Sequence, residues 1–430
     1  MIFILVAIYF LLFLFLAWKN FRLAVILFII FLPSYLIRFE VGPLPSTALE
    51  LSFGALFLAW LIKYSRHDFR NILATSQKHK ILFIAFDLFF IASIVSIFVS
   101  DMPIPSLGEW RAYFLEPMIL FLILIGRKDA IKAMDLALAL ALSTLSISVY
   151  AIIQKFTGWG IATPEWASEA TRRVTAFFSS PNAVGLYLAP VAMLLLLMIW
   201  KKSKERGLIF WLLNIVCLLS LAAIFFTKSQ GTWVGLAVGV LVFLFFVGYK
   251  KVALAAAVLG IIFSLALPSM RQALLFKDQA NQNRLRLWGY SWTFLSQSPK
   301  NFILGAGVRQ FFRKVQKPYY DKIVMERLIY PHNIFLNFWT EIGLPGMLAA
   351  ITMLGYVFYL ANKIRKSDKL IGAGLLGALT VLVVHGLVDV PYFKNDLAFL
   401  FWIIMIIPFY YKQEYDNIYQ SQTDVVRGKS

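Results

Sequence analysis

Runs of roughly 17–25 apolar residues, the length that crosses a bilayer as a helix, recur along almost the whole chain. They are continuous rather than alternating, and they make the sequence 60% hydrophobic and 16% aromatic with only 15% charged. The mean hydropathy is +0.76. A water-soluble chain of 430 residues cannot hide so much apolar surface, so its solvent is lipid. Backbone in lipid must satisfy its own hydrogen bonds, and continuous apolar runs select helices over a β-barrel. The expected fold is all-α and polytopic, with about thirteen spans (12–14). They are placed near 1–17, 22–37, 48–62, 81–99, 112–126, 132–153, 182–200, 207–226, 231–248, 252–268, 333–361, 370–386 and 396–411. The first run lacks a preceding basic region and a small-residue cleavage site, so it reads as a retained span rather than a signal peptide.

Charge then orients the spans. Lys19/Arg22, Lys63 to Lys80, Arg127/Lys128/Lys132, Lys201 to Arg206, Lys250/Lys251, Lys363 to Lys369 and the tail after Lys412 occupy alternate loops, which marks that side as cytoplasmic. The N-terminus is then outside and the C-terminus inside. This distribution also accounts for the formal charge of +19 without nucleic acid. Eleven of the remaining lysines and arginines fall between 269 and 331, against Asp278, Asp321 and Glu326. Positive charge on the outer side runs against the usual bias and calls for a use. The expected organisation is therefore ten spans in 1–268 with an outer loop at 154–181, a long basic outer loop at 269–331, three spans in 332–411, and a polar cytoplasmic tail, 412–430, without assigned structure. The single cysteine, Cys217, excludes an internal disulfide, and four scattered histidines form no metal-ligand cluster.

The residues suited to chemistry gather on that outer side. In NQNRLRLWGYSW, 281–292, Arg284, Trp288 and Trp292 fall on one helical face, and Arg286 is in the same segment. A guanidinium matches a pair of phosphate oxygens, although a surface helix touching lipid head groups has the same spacing. FILGAGVRQFF, 302–312, holds Gly305 and Gly307 in a tight turn before Arg309, either facing an anion or forming a plain loop. His332 precedes Asn333, which suits the N-cap of the next helix. A neutral imidazole at the lipid–water boundary can accept a proton near pH 7, whereas a structural histidine needs no such task. Glu341 lies nine residues on, just before a helix break expected at Gly343, Pro345 and Gly346. Arg172 and Arg173 stand ahead of Pro181-Asn182, where Asn182 reads as a helix cap. Lys228 and Gln230 occupy an outer hairpin.

In this order and spacing the chain resembles the O-antigen ligase and O-antigen polymerase family of polytopic glycosyltransferases. The resemblance rests on Arg173 before Pro181-Asn182, Ser229-Gln230-Gly231, Arg284 before Trp288 with Ile303-Leu304-Gly305-Ala306-Gly307, and His332-Asn333 with Glu341, Gly343 and Gly346. It covers about 170–350. The resemblance implies an enzyme of the cytoplasmic (inner) membrane, with its site on the outer face. Such an enzyme moves a glycan from an undecaprenyl-diphosphate carrier to an acceptor hydroxyl on a glycan or lipid anchor, without metal, cofactor or nucleotide sugar. Arg284 would bind the diphosphate and His332 would activate the acceptor or orient the sugar. Arg173, Lys228, Gln230, Arg286, Arg309, Asn333 and Glu341 would complete the substrate site. Many members carry Arg where this chain has Gln230, with Lys228 as a local substitute, and Gly where it has Ala176. Ligase and polymerase share these motifs. A transporter of lipid-linked saccharide is the alternative from another class; it would place its ionisable groups at mid-membrane in two related halves.

Overall fold

The computed structural model describes residues 2–41, 44–320 and 326–427, with backbone alone beyond Tyr411. About 80% of the chain is helical, and among the described residues the exception to an all-α fold is one small antiparallel hairpin, Arg38–Val41 with Leu44–Thr47. Among the described residues seven helices are long and apolar enough to cross a membrane, or nine if two bent pairs each count as one span. Ala48–Lys63 with Ser65–Lys78 bends by 93°, and Lys250–Ala266 with Met270–Ser296 by 109°. Three further apolar helices, Phe3–Lys19, Phe21–Ile30 and Asn395–Tyr411, are shorter. Thirteen full crossings are thus more than length and apolarity establish.

One segment departs from the sequence-based expectation: the polar tail continues the helix Asn395–Arg427, because no proline or glycine follows Pro408 until Gly428. Within the basic stretch 269–331 the surface helix expected at 281–292 is present as Gln279–Ser296, followed by Pro299–Leu304; Asp321 lies outside the described residues. This stretch builds its own small core from Leu287, Phe294, Leu295, Ala306, Phe311 and Val315. Tyr290 packs against it and stacks with Tyr319 at 4.0 Å between ring centroids.

Close backbone approach decides where that region docks. The helix starting at Ile334 is broken at Gly343, with φ 77° and ψ 175°, as the glycine–proline cluster predicts. A Cβ at Gly343 would stand 2.3 Å from the Ile303 carbonyl oxygen, and one at Gly305 would stand 2.6 Å from that of Trp339. The Ala306 amide donates to the Thr340 carbonyl at 2.6 Å across this junction. The glycines of the 305–307 turn therefore serve helix docking, not an anion. Elsewhere in the bundle, Gly231, Gly235 and Gly239 form a stripe along Gln230–Val247 that faces Lys369–Gly386. A Cβ at Gly239 would lie 2.4 Å from Val381. In the centre, Phe89, Phe114, Phe338, Tyr392 and Trp402 pack edge to face or tilted, which suits aromatic quadrupoles.

Candidate active site

The elements that meet at the end of the bundle carrying 269–331 converge on one carboxylate, that of Asp389. It sits in the short 387–394 link after Lys369–Gly386 and is buried. Its Oδ1 lies 3.1 Å from His332 Nδ1 and accepts the Val390 amide at 2.9 Å, while Oδ2 accepts from Asn182 Nδ2 at 3.0 Å. Burial alone would raise its pKa. The charge and hydrogen bond of His332, then the charges of His385 and Arg284, outweigh that and hold the carboxyl below the usual range. Asp389 therefore stays ionised. With Nδ1–H donating to it, His332 keeps Nε2 as the free acceptor.

His332 is held in an uncommon conformation. Its φ of +53° is left-handed, a region that costs a non-glycine residue of order 1 kcal/mol. Three contacts fix it there. Trp288 Nε1 donates to the Pro331 carbonyl at 3.0 Å, and the Tyr330 ring meets the imidazole edge-on at 5.0 Å. Asn333 caps the following helix by accepting from Leu336 N at 3.0 Å, and its amide donates to the Leu387 carbonyl at 3.1 Å. Both ends of Asn333 are thus engaged in the scaffold. The sequence-based cap holds here, whereas at Pro181–Lys202 the cap is Ser180 and not Asn182, which turns to Asp389 instead.

Two arginines border this carboxylate without a carboxylate partner of their own among the described residues. Arg284 donates through Nε to the Val388 carbonyl at 2.9 Å and through Nη1 to Asn281 at 2.7 Å. Arg173 donates through Nε to the Thr227 carbonyl at 2.9 Å and through Nη2 to Asn182 at 3.4 Å. Burial, and then the nearby charge of Arg284, press the Arg173 pKa downward. Two half-buried guanidiniums side by side, tied only to neutral groups, make a seat for a doubly charged anion. Arg172, indistinguishable from Arg173 in the sequence, staples the loop instead, donating to the carbonyls of Ala167, Lys155 and Phe156.

The remaining candidates divide. Lys228, exposed and left-handed at φ +52°, and Gln230, exposed at the first turn of Gln230–Val247, border the cluster through their neighbours. Gly231 explains that position: a Cβ there would meet Val388 at 2.8 Å and the His385 ring at 3.2 Å. Thr232 lies 3.4 Å from His385 Nε2, and His385 Nδ1 is buried without a partner. Arg286 points to the exposed face. Glu341 and Arg309 are not brought to His332. Eight residues along a helix separate Glu341 from Asn333 by about 12 Å, and its carboxylate accepts the Arg309 amide at 2.7 Å. The Arg309 guanidinium lies 3.7 Å from Glu109. Asp87, within Lys80–Val99, lines an apolar groove of about 570 Å³ with Lys80 and Phe69, away from this cluster.

Asp389 and Asn182 are the residues that sequence reasoning did not place in the site. The signal for Asp389 was its position after His385 at the end of an apolar run; what was missing was the partner 57 residues away. Among the described residues no group of three His, Cys, Asp or Glu side chains is arranged to hold a metal ion.

Comparison with known families finds that residues 215–351 match the family model described as O-Antigen ligase. That segment takes in Ser229-Gln230-Gly231, Arg284, the glycine turn and His332 with Glu341; Arg173, Asn182 and Asp389 lie outside it. No curated protein matches the chain.

Proposed function

We propose, from the match of residues 215–351 to the family model described as O-Antigen ligase, that this chain is an enzyme of that kind and joins a polyprenyl-diphosphate-linked glycan to an acceptor hydroxyl at the outer face of the cytoplasmic membrane. The observation that carries this reading is the pair Arg173 and Arg284, free of carboxylate partners, beside the His332–Asp389 couple. In the proposed step His332 Nε2 takes the acceptor proton while the acceptor oxygen forms a bond to the anomeric carbon. The bond from that carbon to the diphosphate breaks, and the electron pair leaves with the diphosphate oxygen. The two guanidiniums stabilise that charge in a site shielded from water, the task a metal performs elsewhere. Asp389 orients the imidazole and stabilises its cation. A single displacement of this kind inverts the anomeric centre.

The ionisable groups of the Arg173, Arg284, His332 and Asp389 cluster gather at one end of the bundle rather than across its middle, which supports a transferase over a transporter. A polymerase of the same family would use the same residues with a growing chain as acceptor. Deleting the gene and analysing surface glycan and carrier-linked glycan tests the reading. Full-length chains accumulating on the carrier is the ligase outcome. Single repeats left on the anchor, without long chains, is the polymerase outcome. No change in either pool overturns the enzyme.

A further inference from the structure

His385, buried at the end of Lys369–Gly386, takes no part in the proposed step, yet it joins two parts of the site that are far apart in the chain. Its Nε2 lies 3.4 Å from the Thr232 hydroxyl, which itself donates to Ser229 Oγ at 2.9 Å. Because the Thr232 proton is spent on Ser229, His385 Nε2–H is the donor in their contact. The Ser229 amide donates to Thr227 Oγ1 at 3.1 Å, and the Thr227 carbonyl receives Arg173 Nε at 2.9 Å. From Arg173 the path returns through Asn182 at 3.4 Å to Asp389 Oδ2 at 3.0 Å. The Asp389 amide donates to the His385 carbonyl at 3.0 Å, and the ring of contacts is closed.

The ring answers a difficulty set by Arg173. An arginine side chain has much rotamer entropy to lose, and a guanidinium with no carboxylate to hold it keeps its place only if its acceptors keep theirs. Those acceptors belong to different elements: Thr227 ends Leu208–Thr227, and Asn182 lies in the first turn of Pro181–Lys202. After Thr227 the chain turns through Lys228 at φ +52°. The position of the Thr227 carbonyl therefore depends on the hydroxyl links to Thr232 and His385. Close packing sets the spacing of those links. A Cβ at Gly185, one turn after Asn182, would stand 1.9 Å from Thr232 Oγ1, and one at Gly235 would meet His385 Cβ at 3.2 Å.

We infer that His385, acting through Thr232 and Ser229, is a positioning residue that fixes the Thr227 carbonyl and so holds the Arg173 guanidinium beside Asp389. The inference rests on the anion seat of the proposed function, and its test separates the two. Full-length protein in lipid nanodiscs is titrated with farnesyl diphosphate, a diphosphate on a short isoprenoid chain. Thr232→Ala and His385→Leu each weaken binding about tenfold. Thr232→Ser, which keeps the hydroxyl, and His385→Gln, which puts an amide donor in place of Nε2, bind as wild type does. In an Arg173→Ala background Thr232→Ala causes no further loss, whereas in an Arg284→Ala background its tenfold loss persists. A change that merely loosened the bundle would act equally in both. Thermal midpoints check folding, and Ser229→Ala, which removes the acceptor of the same link, decides the matter should Thr232→Ala not fold. Unchanged binding in the loss variants, no recovery in Thr232→Ser, equal loss in the Arg173→Ala background, or no binding to wild type overturns the tether. The expected pattern in a protein whose gene deletion alters neither surface nor carrier-linked glycan overturns the transferase and leaves the tether standing.

Discussion

At the end of the bundle where Arg22 and Arg127 lie, these two arginines have been matched to buried carboxylates. Arg22 grips Asp135 with two hydrogen bonds of 2.8 and 2.6 Å. Asp68, fully buried, is met by Trp60 Nε1 at 2.9 Å, His67 at 3.1 Å and Arg127 at 3.6 Å. At the other end Arg173 and Arg284 have carbonyl and amide partners only, and His332 shares the one carboxylate of Asp389 with Asn182. Matched charges close a structure; a surplus of guanidinium over carboxylate in a half-buried setting is tolerated where a ligand supplies the missing anion. The difference separates architecture from chemistry inside one bundle.

The largest test of that separation is removal of the unmatched groups. Arg284→Ala and His332→Ala should each lower transfer by about 10³-fold or more while membrane levels stay normal. Transfer surviving in His332→Ala, measured as surface glycan in a complemented deletion strain, would remove it from the mechanism. Next comes Asp389→Asn, which leaves shape intact but lets the imidazole choose the wrong tautomer; about a 10²-fold loss is expected.

Asp389 also has a pH consequence. Its carboxyl pKa is lower folded than unfolded, so the stability it contributes is present above the unfolded value of about 3.9 and lost as pH falls through the folded one. The difference in thermal midpoint between wild type and Asp389→Asn should be constant from pH 5 to 8 and shrink only below about pH 4. A difference that already shrinks between pH 7 and 5 would contradict the ionised carboxylate.

Breaking a matched pair should do the converse. Arg22 is half exposed, so Arg22→Ala is expected to cost at most about 1 kcal/mol of stability and to leave transfer per folded molecule unchanged. A selective loss of transfer would blur the distinction between the ends. The smallest effect is expected for Gln230→Arg. It adds a third guanidinium at the rim beside Lys228, and transfer should stay within about threefold of wild type or rise; complete loss would mean this junction serves another purpose.

Helix positions were legible because apolar runs report local solvent, and a local signal needs no partner. The cap at Asn333 and the break at Gly343 were legible for the same reason, since both are written within a few residues. The packing of 269–331 was not: spacing marks its helix at 281–292, yet that Leu287, Phe294 and Phe311 close a separate core appears only once the chain folds back. Nor could Arg172 be told from Arg173, because only packing decides which guanidinium meets the loop's own carbonyls.

What the sequence determined by itself is the lipid solvent, the helical class and a set of basic and histidine residues from which the proposed site is built. These follow from hydrogen-bond demand in hydrocarbon and from side-chain chemistry, neither of which requires knowing neighbours. The tertiary structure alone decided that His332 is served by Asp389 and that Glu341 and Arg309 are tied up elsewhere. Asp389 meets Asn182 across 207 residues of chain and His332 across 57. Contacts at such separations depend on how closely helices approach, and here that is governed by the Gly231–Gly235–Gly239 stripe and the Gly305–Gly343 contact.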